Sequence, residues 1–203
     1  MPLFCYNYSS SLIYFNSGGD SLTIKKKAET TLFFSFIISV ILGTLFHFAF
    51  EYTGGNQILG AFVPVNESIW EHLKLILLPS IIVGIMEYFI FGKYFSGYFG
   101  AKGIATVIGM LFVLVGYYTY SGIIGADFAI ANILLFIGGT ALTSILTYLF
   151  TFKSNFNDTV SIIGILIITV LLIAFMTFTF NPPMLELFRD PLSGDFGIPE
   201  IYL

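Results

Sequence analysis

Two histidines occur in the 203 residues, His47 and His72, and carboxylates stand close to both in the chain: Glu51 follows the first, and Glu67 and Glu71 precede the second. Imidazole nitrogens with carboxylate oxygens are a ligand set for zinc or another divalent ion, so His47, His72 and Glu51 form a candidate metal group. An ion held with one position open lowers the pKa of bound water to about 7, and a nearby carboxylate such as Glu71 can then act as general base, with the Ser68 hydroxyl beside it. That chemistry is hydrolysis. Asn66, Glu67, Asp127 and Asp190, with Glu51, are the polar residues available to a ligand on the same side. Glu87 stands apart in an apolar stretch, where a transporter would use it as a proton or cation relay.

Most of these residues also have ordinary structural uses. Ser68-Ile69-Trp70-Glu71 ahead of an apolar run is a capping box, Asn66 is an alternative N-cap, and Glu67 and Glu71 complement a helix dipole. Glu71 and Lys74 can pair at i, i+3, Asp127 can cap the helix that follows it, Asp190 before Pro191 starts a turn, and Glu87 can pair with Lys93. His47 and Glu51 are less easily explained, because ionisable groups at the end of an apolar helix are costly and usually serve a site or a pathway.

The elements that must position these residues are set by composition. Hydrophobic residues make up 57% of the chain and charged ones 10%, with 24 Phe and a mean hydropathy of +0.92, against about 25% charged in ordinary soluble domains. Too few charges exist to cover a water-facing surface, so lipid is the natural solvent. A bilayer core of about 30 Å needs about 20 apolar residues per helix. Five stretches meet this: Thr31 to Phe50, Trp70 to Phe91, Ile104 to Tyr120, Phe128 to Phe150 and Val160 to Phe180. The fold class is an all-α membrane bundle of five transmembrane helices spanning residues 25–180 in a cell membrane. The net charge of −4 and eight scattered basic residues leave no basic field for nucleic acid, and Cys5 alone makes no disulfide or Cys-based metal site.

Orientation follows from loop lysines and arginines, which stay on the cytoplasmic side. Lys25, Lys26, Lys27, Lys93, Lys102 and Lys153 fall on one side, Lys74 and Arg189 on the other, which places the N-terminus inside and the C-terminus outside. Tyr52, Trp70, Tyr117, Tyr118 and Tyr120 mark the outer interface, and Tyr88, Tyr94, Tyr98 and Tyr148 the inner one. Residues 181–203 then form an extracytoplasmic tail, and residues 1–24 a disordered or mis-started leader without the marks of a signal peptide.

Along the first helix Ser35, Ser39, Gly43, His47 and Glu51 recur at i, i+4 and form one ridge, which should face other helices. Gly109, Gly116, Gly138 and Gly139 offer the same close approach. The 53–70 segment, broken by Gly54, Gly55 and Pro64 yet apolar over Ile58 to Val63, should fold back on the bundle as a re-entrant or interfacial element. Pro79 frees a backbone carbonyl in the second helix.

The string Pro64-Val65-Asn66-Glu67-Ser68-Ile69-Trp70-Glu71-His72-Leu73-Lys74 resembles the signature of a family of small bacterial membrane proteins known only as a domain of unknown function. His47, Glu51 and the Leu187 to Pro191 and Gly194 to Ile198 pieces are similar to the same pattern, which covers the chain from about Thr31. The resemblance implies membership and topology and no activity. Ser68 and His72 are also similar to the S-x-x-x-H of a superfamily of membrane hydrolases that includes the alkaline ceramidases, but its later H-x-x-x-H is absent here. Three functions fit these residues: an outward-facing pocket for a small molecule or lipid, metal-binding and hydrolytic; a small transporter using Glu87; or a non-catalytic scaffold.

Overall fold

The computed structural model describes residues 18–202, in this order: α1 Gly18–Tyr52, the short α2 Gln57–Gly60, α3 Ile69–Ile90, α4 Tyr98–Ile124, α5 Ala129–Lys153 and α6 Asp158–Phe180. The leader expected over 1–24 lies outside the described residues as far as residue 17; from Gly18 onward the chain belongs to α1. The five long helices are each apolar and long enough to cross a membrane. Among the described residues there is no strand, only an isolated bridge between Arg189 and Phe196.

The helices run past the apolar stretches because the flanking Lys, Ala and Tyr residues do not break a helix. The start of α4 extends far enough to take in Lys102. Lys102 is 7% exposed and Lys74, in α3, is 2% exposed. Neither is therefore a loop charge, because each is neutralised inside the bundle by a carboxylate of α3. Lys25, Lys26, Lys27, Lys93 and Lys153 remain exposed at one end and Arg189 at the other.

That these lysines share an end follows from packing. Ala28 and Leu32 of α1 cluster with Phe91, Phe95 and Tyr98, and Phe152 of α5 packs beside them. The Tyr148 hydroxyl donates to Glu29 at 2.7 Å, and the Ser161 hydroxyl, near the start of α6, donates to the Ser96 carbonyl at 2.6 Å. At the opposite end Phe50, Val63 and Val65 cluster with Ile198 and Tyr202. Of the aromatic residues assigned to interfaces, one lies inside and another is half-buried under the C-terminal segment. Tyr98 is fully buried, and Trp70 stacks on Phe175 at 4.2 Å with Phe188 at 4.8 Å.

The ridge on α1 faces inward for four of its five members. Ser35, Ser39 and Gly43 are buried and His47 is half-buried, while Glu51 is exposed. A Cβ on Gly43 would stand 2.9 Å from the Leu75 carbonyl oxygen and closer still to the Phe136 ring. Leu75 is four residues before Pro79, so its carbonyl has no helical donor, and the bare glycine lets α1 pack directly onto it. Gly109 and Gly139 make a similar contact between α4 and α5, each Cβ position lying within 2.8 Å of the other residue's carbonyl oxygen. The Gly43 contact carries His47 of α1 to the start of α3, where His72 lies.

Candidate metal centre

The start of α3 is built by its own loop. Ser68 is the N-cap, and its hydroxyl accepts from the Glu71 amide at 3.3 Å. Glu71 does not complete a capping box, because the Ser68 amide donates to Asn66 Oδ1 at 2.9 Å. Glu71 instead turns inward. Its Oε2 accepts from the Val65 amide at 3.1 Å and lies 2.7 Å from Lys74 Nζ, and its Oε1 accepts from the Thr179 hydroxyl at 2.9 Å. Lys74 Nζ also donates to the carbonyls of Gly60 and Val63 at 2.9 and 3.1 Å and to Thr179 Oγ1 at 2.6 Å. One buried carboxylate, one ammonium and one hydroxyl thus fasten the 60–65 segment to α3 and α6. Sequence reasoning misses Thr179, since one threonine in an apolar helix has no distinguishing pattern.

Fastened this way, the loop brings Glu67 over His72. The C-terminal segment holds it there: Asn66 Nδ2 donates to the Gly197 carbonyl at 2.7 Å, and the Glu67 amide donates to Asp190 Oδ2 at 3.4 Å. Gly197 has φ +72°, a backbone conformation suited to glycine. Asp190 Oδ1 accepts from the Leu192 amide at 2.7 Å, which makes the turn before Pro191. Asn66 and Asp190 therefore act here as supports for Glu67.

Three side chains converge at this place. His72 Nε2 lies 3.4 Å from Glu67 Oε2, His47 Nε2 lies 4.0 Å from Glu67 Oε1, and the two imidazole centroids are 5.2 Å apart. One ligand atom from each residue falls within 4.8 Å of the other two. Tetrahedral bonds of about 2.0 to 2.1 Å separate neighbouring ligand atoms by about 3.3 Å, so closing around an ion takes side-chain movements on the order of 1 Å. Glu51 is exposed and outside the trio. It stands a full turn further along α1, beyond the level at which the loop delivers Glu67.

The hydrogen-bond logic of the trio is unusual. His72 Nδ1 lies 3.0 Å from the Ser68 carbonyl oxygen, and a carbonyl only accepts, so Nδ1 carries the hydrogen. In a neutral imidazole Nε2 then presents a lone pair, and it faces a carboxylate that also only accepts. The Glu67 carboxyl is held below the usual carboxylate range, chiefly by its hydrogen bond to His72, against the opposing effect of burial. Two lone-pair donors at this separation need a positive centre between them, either a proton on His72 or a metal ion. A ring nitrogen fixed by a backbone carbonyl is also how metal-ligating histidines are commonly oriented.

Two members of the trio border a groove of about 330 Å³ between α3, α4 and α5. Glu67 and His72 lie on its wall, and Leu75, Ile76, Val113 and Phe136 make it mainly apolar. Asp127 and Asn132 also line it. Asp127 does not cap α5, whose N-cap Phe128 has no side-chain bond; its Oδ1 accepts from the Tyr120 hydroxyl and from Asn132 Nδ2, both at 2.8 Å.

Glu87 belongs to a separate place. It is 0% exposed, and Lys102 Nζ donates to its Oε1 and Oε2 at 3.1 and 3.0 Å, while the Tyr98 hydroxyl donates to Oε2 at 2.7 Å. Its partner is Lys102, not Lys93. Sequence distance concealed this, because the two residues meet across α3 and α4.

No curated protein and no solved structure matches the chain. A family model described as a family of unknown function (DUF6512) matches residues 21–198, which takes in all five long helices, the loop bearing Glu67 and the segment that supports it. The chain belongs to that family.

Proposed function

We propose that this multi-pass membrane protein binds one divalent ion, zinc by its ligand set, through His47, Glu67 and His72, and hydrolyses an amphiphilic substrate lying in the adjoining groove. The observation that carries the reading is the convergence of the trio, in which one ligand atom from each of two imidazoles and a carboxylate lies within 4.8 Å of the other two, with His72 Nδ1 already turned to the Ser68 carbonyl. Two histidines and one glutamate leave a fourth position open, the arrangement of catalytic rather than structural zinc. Bound there, the ion would supply a water acidified to a pKa of about 7.

The chain's own residues do the rest. The Ser68 carbonyl keeps His72 Nε2 aimed at the centre, and Asn66 and Asp190 hold Glu67. The apolar wall of the groove takes the substrate's hydrocarbon, and Asp127 with Asn132 meets its polar part. In the reaction the water oxygen bonds to the acyl or phosphoryl centre, the leaving group departs with its electron pair, and the water's proton neutralises it. Glu71 and Ser68 support this site as loop anchor and helix cap. The exposed lysines at the opposite end favour the cytoplasm there, so the trio and groove open to the outside of a cell membrane.

Metal analysis of protein purified without chelator and then exposed to zinc should find one ion per chain. Glu67→Gln and His72→Ala should lose it while eluting as folded protein, and turnover of a fluorogenic amphiphilic ester should fall with it. A wild-type chain that retains no ion, or variants that retain it fully, would overturn the reading in favour of a structural network sharing a proton.

A further inference from the structure

A second concavity lies at the lysine-bearing end, between the start of α1 and the end of α3. It measures about 450 Å³, and Lys26, Lys27, Thr30 and Thr31 line its mouth while Ile38, Met86 and Ile90 line its length. Lys27, Thr30, Thr31, Phe34 and Ile38 follow helical spacing, so they form one stripe on α1. The stripe is distinct from the inward face of Ala28, Leu32, Ser35 and Ser39, which is buried. We propose that this groove binds an anionic phospholipid of the adjoining leaflet, with its phosphate at Lys26 and Lys27 and one acyl chain along Ile38, Met86 and Ile90.

Three observations favour this occupant over an ordinary annulus of lipid. The charge is one-sided: Lys26 and Lys27 are exposed, and the nearest acid on the helix, Glu29, is taken up by the Tyr148 hydroxyl at 2.7 Å on the α5 side. Thr30 and Thr31 line the same groove as the lysines, and their hydroxyls are of a type that can donate to phosphate oxygens. The length is also right. Lys27 to Ile38 rises about 16 Å at about 1.5 Å per residue, which is about half a bilayer core of about 30 Å, the depth of one leaflet. Basic pockets between helices at a membrane face are suited to anionic headgroups.

The test uses the full chain in nanodiscs of mixed phosphatidylglycerol and phosphatidylcholine, released into detergent and weighed with its retained lipid by native mass spectrometry. Phosphatidylglycerol should be retained over phosphatidylcholine by on the order of tenfold. Lys26→Gln with Lys27→Gln should abolish the preference. Met86→Trp, which fills the groove and keeps every charge, should abolish retention as well. Lys93→Gln, at the same end but outside the groove, should leave both unchanged. Equal retention of the two lipids, a preference that survives the double lysine variant or Met86→Trp, or an equal loss in Lys93→Gln would overturn the proposal. Unchanged elution and thermal midpoint establish that each variant is folded; should Met86→Trp unfold, Ile38→Trp on the facing helix fills the same groove.

Discussion

Helix α3 carries two carboxylates that are saturated, and the loop before it carries one that is not. Glu87 is bound by Lys102 and Tyr98, and Glu71 by Lys74, Thr179 and the Val65 amide. Both are buried, at 0% and 2% exposure. Glu67 faces two imidazoles across 3.4 and 4.0 Å, with its side chain 41% exposed. The saturated networks lock helices and loop together, and a transported ion or proton would have to displace a lysine from either. The open one borders a groove, and its carboxylate meets two imidazoles and, among the described residues, no lysine. Polar residues in a membrane bundle thus separate by satisfaction, not by charge or depth.

The comparison is broken most forcefully by removing one member of a saturated pair. Lys102→Met leaves Glu87 unpaired at full burial and should destabilise the bundle by about 3 to 5 kcal/mol, read as a lower thermal midpoint in detergent. The double change Lys102→Met with Glu87→Gln should recover most of that loss. A single variant as stable as wild type would show that Glu87 is not held by this pair. Lys74→Met should act similarly on stability and also loosen the 60–65 segment, so its zinc affinity should fall together with its thermal midpoint.

Asn66→Ala separates the two regions more finely, since it removes the bonds to the Gly197 carbonyl and the Ser68 amide and leaves both ion pairs intact. Zinc affinity should drop by about 10- to 100-fold with little change in thermal midpoint, measured by competition with a zinc-sensitive dye. Glu51→Gln should leave zinc affinity unchanged, and a loss equal to that of Glu67→Gln would return Glu51 to the ligand set. The smallest effect is in acid. Because the folded-state pKa of Glu67 lies below its ordinary 4.5, its contribution to stability is complete above about pH 4.5 and disappears as the pH falls through the lower folded value. Glu67→Gln should flatten the stability curve in that window, and only slightly, since the group is partly exposed.

Much of this architecture is legible in the sequence because apolar length and small-residue spacing are local signals. The five long helices, the inward face of Ser35, Ser39 and Gly43, and the pairing of Glu71 with Lys74 depend on residues within a turn or a helix of one another. Partners drawn from separate elements are not legible. Lys102 reads as a loop charge until α4 is seen to begin at Tyr98. Glu51 is the natural companion of His47 by spacing, and Glu67 displaces it only because Asp190 and Gly197, more than a hundred residues later, place the loop. Two lone histidines near helix ends signal a meeting; which carboxylate joins them is a property of the fold.

The central claim, that the trio is open because it takes a metal ion, is tested most directly by zinc-edge X-ray absorption on the loaded protein in detergent. The account predicts nitrogen and oxygen neighbours at about 2.0 to 2.1 Å with outer scattering from two imidazoles, reduced to one in His47→Ala and in His72→Ala. A spectrum without imidazole scattering, or one that neither substitution alters, would contradict it.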